Sequence, residues 1–475
     1  MRIEGLKRRS FVVRYLTLFG GEGISKLCAL GAFAYLARAL GPHRFGIIEL
    51  ALSVMVFFLL ATETGSGSYG ARLIERTPDM MPQLIPRIIV LRALLAIPAY
   101  TVLLFISARY GMPGIGILGV YGVLVLLAPF FVQWAFQGLR QMQWVAISSV
   151  IRYGVFAGVV FVFVRHGSDT RLVAMAEVSG AIALVIFNAI IIRRVLHLRL
   201  DWHGAFSGAL HLFREVWYLG ASDLSWAAMW YAPAVILGWT AITHTEQIAW
   251  LGAAVRVVMA LHTFVWLYFF NMLPNLSREI HQGLAGWREL LRRSMAGSTW
   301  LACLVAIGGT LFAPIIVGAV YGDAYAPAVL PLQIVIWMIP VAWFSGHFRY
   351  SLIAGGHQHL EFMAAGTAGL VTIVATWLGM REYGAPGAAA ALLLGGLVNA
   401  LLSGFATSRA IGPVRLTTAA VPAFSCLAAT LVGLTIGETV DSLFGAVSGL
   451  ALYGVAGASH WNRTQFELLW QGRRH

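Results

Sequence analysis

Apolar residues occur along this chain in a series of long runs, separated by short polar or Gly/Pro-containing breaks. A helical run of about 20 apolar residues is long enough to cross roughly 30 Å of hydrocarbon. Run length and the position of the breaks predict about fourteen spans. They lie at 12–36, 46–67, 86–108, 114–136, 143–164, 171–192, 214–238, 246–270, 298–320, 326–348, 360–379, 386–408, 415–436 and 440–458. The pattern therefore predicts an all-α polytopic membrane protein.

Composition agrees with this prediction. Of the 475 residues, 59% are hydrophobic and only 11% are charged, against roughly 25% charged in ordinary soluble domains. The three cysteines, Cys28, Cys303 and Cys426, all fall within predicted spans, where a thiol behaves as a small apolar side chain. We therefore expect no disulfide framework, no metal site and no cofactor.

The net charge of +13 is best explained by the positive-inside rule, and we expect no nucleic-acid partner. If the N-terminus is cytoplasmic, 22 of the 33 Lys and Arg residues fall on the cytoplasmic side, 6 lie in the opposite loops and 5 lie within spans. The excess predicts that both termini lie in the cytoplasm. All loops are short, which leaves no room for a soluble domain between the helices.

Charged residues within the spans are the first candidates for function, because each costs about 2.5–3.5 kcal/mol at the centre of a span unless it faces protein or a water-filled cavity. Glu22 and Lys26 are spaced i, i+4, with the acid first, the favourable order for pairing on one helix face. The pair is interpreted either as lining a cavity or as a self-neutralising structural pair.

Three arginines extend this set of candidates. Arg256 lies near the middle of a predicted span and has no acid three or four residues away, which favours a role in binding an anionic ligand over a structural bridge to Asp223. Arg152 is also central, and Arg92 lies closer to the end of its span, from which it could snorkel. With Lys26, these residues form the predicted substrate-binding set.

Four acids within the spans are candidates for coupling an ion or for balancing the charge of the cations. They are Glu22, Glu63, Glu177 and Asp223. The sequence does not decide between the two roles.

Weak internal similarity indicates a repeat, a common feature of transporters. The segment EGIS from Glu22 has a counterpart in DLS from Asp223, and FQGLRQM from Phe136 resembles IAGGHQH from Ile353. We predict a six-helix bundle at 1–200, a second at 201–410, and two additional helices with a cytoplasmic tail at 411–475.

Several Gly/Pro-containing segments resemble a known family. These are RALGPHRFG from Arg38, GSGSYGARLIER from Gly65, FQGLRQM, YGDAYAPAVLPLQIVIW from Tyr321 and YGAPGAAAA from Tyr383. Together they resemble the polysaccharide transporter family, which includes the O-antigen flippases, in the multidrug/oligosaccharidyl-lipid/polysaccharide exporter superfamily. The resemblance extends to about residue 410.

The resemblance implies two pseudo-symmetric six-helix bundles around a central cavity that opens alternately to the two sides. It also implies a flippase for an undecaprenyl-diphosphate-linked oligosaccharide, with Lys26 and Arg256 in spans that line the cavity. Expected partners are this lipid-linked substrate and membrane lipids, with polysaccharide polymerase and chain-length proteins as candidate protein partners. The two extra spans leave a lipid II type of flippase open.

Two other functions remain as alternatives. A cation-coupled multidrug exporter of the same superfamily would need an acidic cavity, whereas the central charges here are balanced or slightly basic. A membrane-embedded glycan polymerase or ligase would need a large external loop with catalytic residues, and the predicted loops are short. We therefore predict a transporter that is not an enzyme. The chain contains no Gly-Lys-Ser/Thr phosphate loop, so energy must come from a gradient, a membrane potential or consumption of the product.

Overall fold

A computed structural model of the 475-residue chain shows the architecture. The structure describes the backbone of residues 2–110, 115–165, 169–240, 245–414, 417–439 and 442–471. It describes the side chains of residues 23–108, 117–165, 169–239, 245–414, 421–437, 439 and 442–458. Within these ranges all regular elements are helices, in agreement with the all-α prediction.

The first half of the chain forms eight α-helices: α1 (Arg2–Glu63), α2 (Ser66–Arg76), α3 (Met81–Tyr110), α4 (Ile115–Leu127), α5 (Gln133–Gly138), α6 (Met142–Phe163), α7 (Thr170–Ile190) and α8 (Ala205–Thr240). Short 3-10 turns lie at Pro78–Met80 and Ala128–Phe130, and one π-helical turn lies at Ile191–Val195.

The second half contains eight more: α9 (Thr245–Gln282), α10 (Leu284–Leu311), α11 (Ala313–Tyr321), α12 (Val329–Val335), α13 (Met338–Ala354), α14 (Gln358–Ala410), α15 (Thr417–Thr439) and α16 (Ser442–Gln471). A 3-10 segment at Asp323–Ala328 joins α11 to α12.

The number of spans is compatible with the prediction of about fourteen. Among the described residues, nine segments are long and apolar enough to cross a membrane. Two of them, Gly23–Glu63 and Gln358–Ala410, are each two helices that meet at a kink. Two shorter apolar helices at Val421–Gly437 and Ser442–Ala458, together with α8, complete a set of fourteen. The chain is therefore a multi-pass membrane protein.

Both kinks fall on the Gly/Pro patterns of the sequence. Gly41 has φ 72° and ψ 168°, and Gly384 has φ 56° and ψ −129°. Only glycine adopts these conformations readily. Proline follows at Pro42 and at Pro386, where it tolerates the first turn of a new helix. Each pattern thus joins two consecutive spans by a tight turn in place of a loop.

Two predicted spans are interrupted. The span predicted at 114–136 consists of α4, the turn Ala128–Phe130 and α5, and the span at 326–348 contains α12 and part of α13. Helix α10 also begins earlier than the predicted span at 298–320, because a charged amphipathic turn precedes the apolar run.

Contacts within the chain divide it into two compact units, Met1–Ala249 and Trp250–His475. In the first unit α1 packs against α6 and α8, α6 packs against α7, and α3 packs against α4 and α8. A buried cluster joins α2, α3, α5 and the start of α8, with Trp134, Phe136 and Val216 among its members. The predicted division into bundles at residue 200 stays a prediction.

In the second unit α10 is the central helix. It packs against α13, α15 and α16, and α13 packs against α14. A smaller cluster containing Cys303, Cys426 and Tyr453 joins α10 to the hairpin of α15 and α16. All three cysteines are free thiols.

Candidate functional site

Two of the predicted cations lie close together in the first unit. Lys26 lies on α1, and Arg152 and Tyr153 are adjacent on α6. The Nζ atom of Lys26 is 5.9 Å from the centre of the Tyr153 ring. The guanidinium carbon of Arg152 is 5.5 Å from the same ring and 5.4 Å from the ring of Phe131. All three distances are within the range of cation–π attraction.

A carboxylate completes this group. Nη2 of Arg152 lies 3.8 Å from Oε2 of Glu177 on α7, too far for a hydrogen bond but close enough for electrostatic attraction. The side chain of Glu177 is 7% exposed and that of Arg152 is 22% exposed. We call Lys26, Phe131, Arg152, Tyr153 and Glu177 the cation–aromatic cluster.

The cluster has capacity for an anionic ligand. Arg152 offers five N–H donors, and its Nε makes no hydrogen bond within the described part of the chain. Two cations face one carboxylate in the cluster, so its formal charge is positive. Helix packing holds the three elements together, since α6 packs against both α1 and α7 and Tyr35 of α1 donates a hydrogen bond to the carbonyl of Val164.

Arg92 has different surroundings. It is 2% exposed, and its guanidinium donates to Ser66 Oγ at 2.9 Å, to the Phe131 carbonyl at 3.0 Å and to Glu63 Oε1 at 3.1 Å. The group therefore joins α1, α2, α3 and the turn before α5. These contacts favour a structural role over the predicted substrate-binding role, with Glu63 balancing the charge.

The other predicted residues are distributed over both units. Arg256 is half-buried on α9 in the second unit, and Asp223 is exposed on α8 in the first. The side chain of Glu22 lies outside the described residues, so its predicted pairing with Lys26 stays a prediction. The structure thus brings together Lys26, Arg152 and Glu177, and separately Arg92 with Glu63.

The sequence analysis did not identify an ion pair in the second unit. Nε of Arg349 on α13 lies 2.7 Å from Oε1 of Glu361, which is 8% exposed on α14. The predicted span ends at 348, whereas α13 continues to Ala354, so Arg349 lies within a helix. The available signal was opposite charges on the two sides of Gly355 and Gly356.

Phe131 and Tyr153 were also missed. Aromatic residues are common throughout the chain, so their type alone did not distinguish these two. The adjacency of Tyr153 to a mid-span arginine was the one usable signal.

Solved structures share the fold of this chain. Residues covering 95% of this chain superpose on 99% of the lipid II flippase MurJ in an inward closed conformation, with a TM-score of 0.75 and 12% identity. A multidrug resistance MATE family transporter of the MOP superfamily, inward-facing, superposes with a TM-score of 0.66 and 14% identity over 82% of this chain and 94% of that one. The chain therefore has the fold of this class of multi-pass membrane transporters.

Sequence comparison shows the family. Residues 14–280 match the family described as "Polysaccharide biosynthesis protein", and the chain belongs to this family. A protein of Escherichia coli (strain K12) named "Putative O-antigen transporter" is 23% identical over 392 residues, which cover 77% of this chain and 89% of that protein. These findings confirm the predicted resemblance.

Proposed function

We propose that this protein is a flippase that moves an undecaprenyl-diphosphate-linked oligosaccharide from the inner to the outer leaflet of the bacterial inner membrane. Membership of the polysaccharide biosynthesis family and the fold shared with a lipid II flippase support this function. The observation that carries the proposal is the cation–aromatic cluster within the spans of the first unit.

The chemistry of the cluster suits the diphosphate. A cation in a low-dielectric site attracts an anion far more strongly than it does in water. An arginine fork also binds phosphate oxygens with two parallel hydrogen bonds. We assign Arg152 and Lys26 to the diphosphate, and we retain Arg256 as a predicted substrate-binding residue on α9. Phe131 and Tyr153 fix the position of the Arg152 guanidinium in the absence of substrate.

The acids would keep the empty site from carrying unbalanced positive charge. In this proposal Glu177 holds Arg152 by a loose ion pair that a diphosphate can replace without breaking a hydrogen bond. Glu22 would hold Lys26 in the same way. In each transport cycle the counter-ion must separate from the arginine when substrate binds and return when substrate is released. A weakly held counter-ion allows this exchange more readily than an arginine whose donors are all hydrogen-bonded within the protein.

Transport would follow alternating access between the two halves, with both termini in the cytoplasm and the lipid tail remaining in the bilayer. The protein would act as a transporter without catalysing a covalent step, and a polysaccharide polymerase and chain-length proteins would use the exported product. A multidrug exporter is less favoured, because organic cations require an acidic site, whereas the charges proposed for this site are balanced or slightly basic.

The test uses cells in which the gene is deleted and replaced by variants. Arg152→Ala and Arg256→Ala should each lower surface export of the glycan at least about tenfold at normal protein levels, because each removes a cation from a site of low dielectric. Arg256→Lys should retain part of the export, since the charge remains while the planar fork is lost.

Arg278→Ala is the matched control. Arg278 also lies on α9, but its side chain is 60% exposed and its ion pair with Glu279 is of the surface type that contributes little. The proposal would be wrong if Arg152→Ala and Arg256→Ala exported glycan at the same rate as Arg278→Ala.

A further inference from the structure

A histidine is buried within the second unit. His347 lies on α13 and is 1% exposed. Its hydrogen bonds lead to Ser294 on α10 and then to Tyr268 on α9. All three residues lie within segments that are long and apolar enough to cross a membrane. Ionisable side chains within membrane spans are rare and often take part in proton relays, which makes His347 a candidate for function.

The hydrogen bonds determine which ring nitrogen of His347 carries the proton. Nδ1 lies 2.7 Å from the carbonyl oxygen of Trp343, which can only accept. Nδ1 therefore carries the hydrogen of the neutral ring, and Nε2 is the acceptor. Ser294 Oγ lies 2.7 Å from Nε2, so its hydroxyl donates to this nitrogen.

A second hydrogen bond extends this arrangement to an exposed group. Tyr268 Oη lies 2.6 Å from Ser294 Oγ, and Tyr268 is 36% exposed. Two hydrogen bonds thus connect a partly exposed phenol to a buried imidazole. We call His347, Ser294 and Tyr268 the histidine chain. The predicted orientation places Tyr268 near the cytoplasmic end of its span.

A serine hydroxyl is suited to a histidine that changes its charge. It donates to a neutral Nε2 and accepts from a protonated Nε2–H, whereas a carbonyl only accepts. When Ser294 accepts from His347, its own hydrogen can turn to Tyr268 Oη or to the sulfur of Met272, which lies 3.5 Å from Ser294 Oγ. The same side chains can therefore form hydrogen bonds with both charge states of His347.

The charged groups on the neighbouring helices are engaged in ion pairs. Arg349 points about 160° away from His347 around α13 and pairs with Glu361 of α14. On α10, Arg292 and Arg293 both pair with Glu289. The other titratable groups close to the histidine chain along these helices are His262, Arg288 and Tyr350. The two hydroxyl groups of the chain are therefore the route by which His347 would exchange a proton.

We infer that His347 binds one proton in each transport cycle and releases it to the cytoplasm, so that a proton gradient drives export of the lipid-linked glycan. The inference rests on the proposed function and supplies its source of energy, since the chain contains no Gly-Lys-Ser/Thr phosphate loop. Protons move inward and the substrate moves outward.

The release step conserves protons. His347 transfers the proton on Nε2 to Ser294 Oγ, and Ser294 transfers its own hydroxyl proton to Tyr268 Oη. Tyr268 gives its phenolic proton to water. His347 is then neutral again, with its hydrogen on Nδ1, and both hydroxyl groups are intact.

The test measures how a pH gradient distributes a fluorescent undecaprenyl-diphosphate-linked oligosaccharide between the leaflets of liposomes that contain the purified full-length protein. Valinomycin and equal potassium on both sides hold the membrane potential at zero. With the outside more acidic by about one pH unit, exchange of one proton for one substrate should enrich the probe about tenfold in the outer leaflet. The orientation of the protein does not change this ratio, because the two fluxes oppose each other in either orientation.

Two variants test the histidine chain. His347→Gln keeps a side chain that can form hydrogen bonds but does not titrate, so it should equilibrate the probe between the leaflets without enriching it. Ser294→Ala interrupts the chain and should slow the enrichment about tenfold or more, while exchange without a gradient keeps its wild-type rate. A structural role would instead slow exchange equally with and without the gradient.

His281→Gln is the matched control. Nδ1 of His281 makes the same kind of bond, to the Ser277 carbonyl at 2.6 Å, but His281 is exposed on α9. This variant should enrich the probe as wild type does.

The outcomes separate the two proposals. If wild-type protein equilibrates the probe but the gradient does not enrich it, the inference is overturned and the proposed function stands. Enrichment by His347→Gln to the wild-type ratio would also overturn the inference. If wild-type protein moves no probe under either condition, the proposed function fails and the inference fails with it.

Discussion

Arginines within the spans of the first unit are of two kinds, which differ in their hydrogen bonds. The donors of Arg92 are satisfied by Ser66, Glu63 and backbone carbonyls, and the residue is buried. Arg152 instead has one ion pair at 3.8 Å and two aromatic neighbours. A saturated cation stabilises the fold, whereas one held loosely can exchange its partner for a ligand.

This distinction predicts the behaviour of Arg92→Met. Loss of the charged hydrogen bonds should destabilise the protein by about 1.5–3 kcal/mol, because Ser66 and the Phe131 carbonyl keep no equivalent donor. The thermal unfolding midpoint in detergent should fall by several degrees, and transport per folded molecule should remain. Arg72→Met is the control, since Arg72 is exposed on α2 and its substitution should change stability by less than about 0.5 kcal/mol. An unchanged midpoint together with lost transport would place Arg92 in the substrate site.

At the scale of the helices, the Gly/Pro patterns have a physical explanation. Gly41 and Gly384 adopt conformations that require glycine, and each joins two spans without a loop. The same patterns carried the family resemblance in the sequence, which indicates that they mark the tight turns between spans.

Replacing these glycines tests that explanation. Gly41→Ala and Gly384→Ala should each destabilise the protein by about 1–3 kcal/mol, because alanine is strained at these backbone angles. Gly154→Ala is the control on α6, where the backbone is helical and no atom lies near the added methyl group. It should stabilise by up to about 1 kcal/mol. Thermal unfolding of the three variants should therefore shift in opposite directions, and shifts of the same sign would refute the assignment.

The helices could be predicted well from the sequence because span length depends mainly on apolar run length. The breaks at Ala128–Phe130 and near Ile336 were not predicted, because both lie within continuous apolar runs, although Pro129 was a usable signal for the first. The free-energy cost of placing a charge within a span identified Lys26, Arg152 and Glu177 as candidates from the sequence. It did not predict that they lie close to Phe131 and Tyr153. That contact depends on how α1, α6 and α7 pack, and no local pattern encodes it.

For the whole molecule, the distribution of positive loop charge predicts the orientation in the membrane. Gly167 and Arg463 are predicted on opposite sides of the membrane, and the side chains of both lie outside the described residues. A cysteine introduced at either position therefore reports on one side. In a background without native cysteines, an impermeant thiol reagent applied to intact cells should label the cysteine at 167 and not that at 463. The reverse labelling would show that the orientation in the membrane, and with it the direction of transport, is opposite to the one predicted.

We propose that basic residues within the spans bind an anionic lipid-linked glycan while it crosses the bilayer. This proposal is tested by the rate at which purified protein in liposomes moves a fluorescent undecaprenyl-diphosphate-linked oligosaccharide between leaflets, measured by quenching of the fluorescence from outside. Wild-type protein and Arg278→Ala should move the probe at similar rates, and Arg152→Ala should be at least about tenfold slower. A wild-type rate equal to that of protein-free liposomes would show that the protein does not move this substrate, and an Arg152→Ala rate equal to that of wild type would show that Arg152 does not bind it during transport.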